Sequence, residues 1–282
     1  MKAIVTLCIG ADQLGALTHP LMRDYADKVG ADFVVLATPK LHLNYIHYEK
    51  YQVYELLDIY ERILFLDSDI IITPNCPDLF EIVPSNQFGA FLVSKHSYFH
   101  DGAIGVIQYL LGDIGWKRDY FNSGVMLVSK QHQEVFCPEG DLLIWDSEKR
   151  DFFDQTILNY TVQKMGVPIY DIGYKFNHTT DLKNSKERWG RRVNQLLDFS
   201  DNLIGSVNSD YKQRLNKRQK EAKYIVHYQG KEVIQHRFKS YIIHYTGKGH
   251  RRQGNKVEQI RQDLALMSRN NVINIPLIDR FI

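Results

Sequence analysis

The feature that most constrains this chain is Ile63-Leu64-Phe65-Leu66 running straight into Asp67-Ser68-Asp69 and then into a second apolar run, Ile70-Ile71-Ile72. Four apolar residues without polar alternation describe a strand buried on both faces, as in the interior of an α/β sheet. Two carboxylates between such runs have to be paired, solvated or bound to a cation. In extended chain, residues i and i+2 point to the same side, so Asp67 and Asp69 can converge on one divalent ion. They also stand at the carboxyl end of their strand, which is where open α/β sheets bind ligands.

Short β-type runs alternate with helical periods through the first hundred residues, which predicts a layered α/β domain with a mainly parallel sheet. Besides the strand ending at Leu66, strands are expected over 3–9, 32–37, 88–93, 125–128 and 167–172. Helical spacing covers 14–30, with Pro20 tolerable if the helix begins near it, and also 48–60 and 152–165. Past residue 178 the pattern weakens. Stretches at 183–192 and 211–223 are basic, the second reading as an exposed helix or an insertion, two similar strands lead into His227-Tyr-Gln-Gly230 and His244-Tyr-Thr-Gly247, and 257–267 has the spacing of an amphipathic helix. The expected organisation is one domain over 1–250, with the basic insertion near 180–223, and a helical extension over 251–282.

Charge narrows the function. Lys+Arg 35 against Asp+Glu 33 is too balanced for a protein whose affinity rests on neutralising nucleic-acid phosphates. Residues 1–150 hold 12 basic and 20 acidic side chains and the remainder 23 and 13, an asymmetry suited to a ligand carrying both metal and phosphate. Cys8, Cys76 and Cys137 cannot all pair and none has zinc spacing, so a reducing, cytoplasmic setting is expected. The opening apolar run has no cleavage site, and no stretch approaches the roughly 20 apolar residues of a membrane span. Membrane association is expected to be peripheral at most, through 211–223. The sequons at Asn159 and Asn177 are expected to stay unmodified for the same reason.

Asp67-Ser68-Asp69, Phe121-Asn122-Ser123-Gly124, Asp154-Gln155 and His244-Tyr-Thr-Gly247 follow one another in an order that resembles family 8 glycosyltransferases, the glycogenin and lipopolysaccharide galactosyltransferase group. The resemblance implies a GT-A (Rossmann-like) α/β fold, with a mixed, mainly parallel central sheet flanked by helices. It implies retaining transfer from a nucleotide sugar, with UDP as the nucleotide, to a glycan, lipid-linked or protein hydroxyl. The implied ion is Mn2+, with Mg2+ as the alternative.

Carried over residue by residue, the resemblance makes Asp67, Asp69 and His244 the metal ligands, with Asp67 also on the donor ribose. It places Leu7 and Ile9 at the nucleobase edge, Lys50 and Ser68 on the donor, and Asn122, Ser123 and Asp154 around the donor sugar. Gln155 would lie beneath the anomeric carbon, forming the catalytic pair with Asp154, and Gly247 and Lys248 would meet the diphosphate. His227 offers the same His-x-x-Gly pattern, but His244 is favoured by the cationic run Lys248, His250, Arg251 and Arg252. The family lysine six residues after the histidine is His250 here. A glutamine is a poor nucleophile, so front-face substitution is the mechanism expected. By itself Lys50 reads as a solvated helix lysine. Tyr98, Phe99, His100 and Trp116 are the acceptor candidates. The rival readings are a phosphatase of the Asp-x-Asp type, whose pattern wants Thr or Val where Ile71 stands, and a non-catalytic nucleotide-sugar or glycan-binding protein of the same fold.

Overall fold

Side chains of the strand Arg62–Asp67 part to opposite faces of a sheet, Ile63 and Phe65 into one hydrophobic cluster and Leu64 and Leu66 into another, all four fully buried. Each such burial is worth about 2 kcal/mol, so the unalternated run commits this strand to the centre of the sheet. The computed structural model describes residues 1–95, 100–148, 153–179, 225–228, 231–234, 236–246 and 256–269. In chain order these form β1 (Lys2–Leu7), α1 (Asp12–Val29), β2 (Asp32–Leu36), a 3-10 segment Ile46–Gln52 continued by α2 (Val53–Leu56), β3 (Arg62–Asp67), β4 (Ile70–Ile72), α3 (Leu79–Ile82), β5 (Phe88–Phe91) and α4 (Asp101–Leu111). There follow β6 (Asn122–Ser129), α5 (Asp141–Ser147), α6 (Phe153–Lys164), β7 (Ile169–Asp171), β8 (His178–Thr179), β9 (Ile225–Tyr228), β10 (Lys231–Ile234), β11 (Ile242–His244) and α7 (Lys256–Arg269).

The central sheet has the order β2-β1-β3-β6-β5-β7. The pairs β1/β2, β1/β3 and β5/β7 are parallel, while β6 is antiparallel to both β3 and β5. The reversal of β6 has a direct functional result. It brings the beginning of β6, at Asn122, to the same edge as the carboxyl ends of β1, β3 and β5. Leu7 is in register with Asp67, and Phe91 with Asn122.

A smaller sheet, β4-β11-β8, closes over that edge. β11 pairs antiparallel with β4, setting His244 opposite Ile70, and parallel with β8. The backbone N–H of Tyr245 also donates to the carbonyl of Asp69 at 3.0 Å. α7 is packed against this sheet and α1, with Ile260, Leu264 and Met267 in a cluster with Leu21, Ile71, Ile243 and Tyr245. Asp263, fully buried, accepts from Arg237 at 2.9 Å and from the Tyr245 hydroxyl at 2.6 Å, which satisfies its charge and ties the helix to β11.

Three expectations are corrected. The helix expected over 48–60 is instead a 3-10 segment followed by a single α turn. Five consecutive residues, Tyr48 to Gln52, are buried there, and one stripe of an α-helix cannot bury consecutive positions. Pro20 lies inside α1 rather than near its start; the carbonyl it leaves unpaired belongs to Ala16, which is exposed and can be hydrated. The strand expected over 125–128 begins at Asn122 and ends at Ser129, so the polar Asn-Ser-Gly segment is part of it. The basic stretches 183–192 and 211–223 lie outside the described residues. Among those described, no helix is long and apolar enough to cross a membrane.

Candidate active site

Asp67 ends β3, Asp69 follows in the turn to β4, and His244 arrives on β11. One ligand atom from each lies within 4.8 Å of the other two. His244 Nε2 is 3.3 Å from Asp69 Oδ1 and 3.5 Å from Asp67 Oδ2. Asp69 Oδ1 is buried and faces only His244 Nε2, outside good hydrogen-bond geometry, so a bound cation would give it a second partner. Gly124 faces the same space: a Cβ there would collide with the His244 ring and lie 2.9 Å from Asp67 Oδ2. Two carboxylates and an imidazole make a donor set that fits a divalent cation.

Beside this group Lys50, whose side chain is 3% exposed, bridges Asp67 Oδ1 at 2.9 Å and Asp154 Oδ2 at 2.7 Å. Its ammonium also reaches the carbonyl and hydroxyl of Ser123, both at 3.3 Å, and Ser123 Oγ donates to Asp154 at 2.8 Å. Lys50 is therefore a buried hub and not the solvated helix lysine its surroundings in sequence suggest. Gln155 is held by its carbonyl oxygen, which accepts from Asn122 Nδ2 at 2.9 Å and from the Ser123 N–H at 3.3 Å. Asn122 Oδ1 accepts from the Gly124 N–H at 3.0 Å and from Asn177 Nδ2 at 2.8 Å, and Asn177 Oδ1 meets His244 Nδ1 at 2.9 Å.

The sequence profile described as Glycosyl transferase family 8 matches residues 36–233. This chain belongs to that family. Among solved structures, the bifunctional glycosyltransferase WbbM is matched with a TM-score of 0.52 and 15% identity, over 99% of this chain and 50% of that one. The galactosyltransferase LgtC, solved with donor and acceptor sugar analogues, is matched with a TM-score of 0.46 and 15% identity, over 98% of both chains. GlyE of Streptococcus pneumoniae is matched with a TM-score of 0.47 and 15% identity, over 97% of this chain and 62% of that one. A comparison with curated proteins gave no match. The family 8 chain is a glycosyltransferase with a GT-A-like fold. The profile ends before His244, so the third metal-ligand assignment rests on geometry.

Electrostatics in this family 8 site are tightly interlocked. Burial alone would lower the His244 imidazole, but the carboxylates of Asp69 and Asp67 push it up to about 9. Burial would raise Asp67, yet Lys50 and then His244 hold it well below the usual carboxylate range. Asp69 is also held down, burial being outweighed by His244 and Lys256. Lys50 stays protonated because Asp154 and Asp67 outweigh its desolvation.

The structure gathers Asp67, Asp69, His244, Lys50, Asn122, Ser123, Asp154 and Gln155 into one site. Leu7 and Ile9 are half-buried near the same edge, and the Ser68 carbonyl accepts from Thr18 Oγ1 at 2.7 Å. Gly247, Lys248, Tyr98 and Phe99 lie outside the described residues, as do the side chains of β9, which carries His227. His100 and Trp116, expected as acceptor platforms, are buried instead. Both rings stack on Tyr120, at 4.2 and 5.8 Å between centroids, because the chain turns them into the core.

Three residues escaped sequence reasoning. Asn177 drew notice only as a sequon, and its side chain is fully buried. Asn159, the other sequon, is equally buried and braces α6 against β6 by bonding both the N–H and the carbonyl of Phe121. Lys256, on α7, reaches Asp69 Oδ2 at 2.5 Å. No spacing rule connects it with the acidic pair, since the contact depends on how α7 docks.

Proposed function

We propose that this chain is a metal-dependent retaining glycosyltransferase that moves a sugar from a nucleoside diphosphate, with UDP as the nucleotide, to a hydroxyl of a glycan, lipid-linked or protein acceptor. The observation that carries the reading is the convergence of Asp67, Asp69 and His244 at the carboxyl end of β3. These three residues would hold Mn2+, with Mg2+ as the alternative. The ion when bound would neutralise charge on the diphosphate leaving group.

Lys50 keeps Asp67 ionised and holds Asp154 in place by a 2.7 Å contact, so that Asp154 and the Asn122–Ser123 edge can order the hydroxyls of the donor sugar. Leu7, Ile9 and Ser68 would line the nucleoside end, with Gly247 and Lys248 at the diphosphate. Gln155, its amide oriented by the bonds its carbonyl oxygen accepts from Asn122 and Ser123, would lie beneath the anomeric carbon, and stabilising positive charge there would require that oxygen to give up one of those bonds to the donor. The acceptor oxygen bonds to that carbon as the bond to the phosphate oxygen breaks on the same face, and the departing oxygen takes the acceptor's proton. Configuration is thereby retained without a covalent glycosyl-enzyme.

The test is slow hydrolysis of nucleotide sugars without acceptor, in Mn2+, across a panel of donors beside Asp69→Asn. Selective sugar release that the substitution abolishes is expected. A panel with no turnover and no Mn2+-dependent nucleotide binding would favour a non-catalytic protein of this fold.

A further inference from the structure

We propose that Asn177 is a positioning residue that sets which imidazole nitrogen of His244 faces the ion and couples that choice to the amide of Gln155. The inference rests on the metal-site reading above. Two backbone N–H groups, which can only donate, anchor the argument. The Gly124 N–H donates to one side-chain atom of Asn122, which must be the oxygen, so the Asn122 NH2 turns toward Gln155. The Ser123 N–H donates to the same Gln155 atom, which confirms that this atom is the carbonyl oxygen. Because Asn122 presents an oxygen to Asn177, Asn177 must answer with its NH2, leaving its oxygen toward His244 Nδ1. That oxygen can only accept. His244 therefore carries a proton on Nδ1, and in the neutral ring its free lone pair is on Nε2, the nitrogen facing Asp67 and Asp69.

Asn177 is fully buried just before β8, and β8 is the strand beside β11. It can thus register the metal ligand on one sheet against Asn122 at the start of β6 on the other. An asparagine is required because it accepts on one side and donates on the other. Leucine has nearly the same shape and does neither; aspartate accepts from His244 but presents no proton to Asn122.

Three measurements on this chain test the proposal. In metal-free wild type, with the pH raised until the 15N shifts show a neutral His244 ring, NMR should show the ring protonated at Nδ1 with Nε2 bare. Mn2+ calorimetry should show affinity about tenfold or more weaker in Asn177→Leu and within about threefold of wild type, or tighter, in Asn177→Asp. Donor turnover at saturating metal should fall about tenfold or more in Asn177→Asp, because the Gln155 arm alone has been cut. A bare Nδ1 in wild type, wild-type Mn2+ affinity in folded Asn177→Leu, or equal loss of metal in both variants would overturn the proposal. The NMR arm needs neither metal nor a substituted chain. The expected ring protonation in a wild type that takes up no Mn2+ would support the placement of Asn177 while removing the functional reading.

Discussion

At Gly124 the missing side chain keeps a space between His244 and Asp67 that a methyl group would fill. Gly124→Ala is expected to weaken Mn2+ binding by more than about tenfold while the far-ultraviolet spectrum is unchanged, read by calorimetry and circular dichroism. His244 gives a pH signature. Metal needs the neutral ring, so with the imidazole pushed up to about 9, Mn2+ affinity should climb roughly tenfold per pH unit from neutrality and level off above that point. Metal-free stability should run the other way. A raised folded value stabilises fully below the unfolded value of about 6.5 and the benefit disappears as pH rises through about 9, so melting in chelator should be lower at the alkaline end. Lys50→Met strands two acids, one of them largely buried, and should cost about 3 kcal/mol in urea unfolding. At this scale the sequence made the acidic pair legible because two carboxylates between apolar runs demand an explanation. Lys50 and Asn177 were not legible in their roles, since their partners lie on other elements and neither residue type is unusual where it stands.

Among elements, the informative contact is between α7 and the turn after β3. Lys256 stands on the carboxylate oxygen of Asp69 and competes with any incoming cation. Removing an ion pair between a buried carboxylate and a partly exposed lysine, worth about 1 kcal/mol, should release about fivefold in affinity, so Lys256→Met is expected to bind Mn2+ alone more tightly in the same calorimetric titration. Unchanged affinity would mean that the lysine moves aside without cost. The strands were legible from their apolar runs, and α1 and α6 from their period. The segment 46–56 was not, because burial of consecutive residues between two neighbouring layers overrides helical periodicity. The run of β6 through Asn-Ser-Gly was hidden for a related reason: site residues weaken the apolar pattern by which strands are recognised.

For the whole molecule, the mixed sheet matters more than any one motif. β6 runs against its neighbours, so the start of one strand and the ends of three others supply the same edge, and the small sheet β4-β11-β8 brings His244 across to it. α7 locks that small sheet from outside. Leu264→Ala should therefore cost about 2–4 kcal/mol by opening a cavity between α7, α1 and β11, measurable as a lower urea midpoint. The direction of β6 was not legible, because a strand's sequence carries no mark of the direction in which its neighbours run.

The docking of α7 on β11 through Asp263 also has a consequence for how the protein is made. Synthesis proceeds from the amino end, and the sheet strands that carry Asp67 and Asn122 leave the ribosome long before His244 and α7. A nascent chain thus has its acidic pair early and His244 late. On the proposed reading an ion can be captured only once β11 has emerged, so metal uptake by ribosome-held chains of increasing length would mark the point at which the site is assembled.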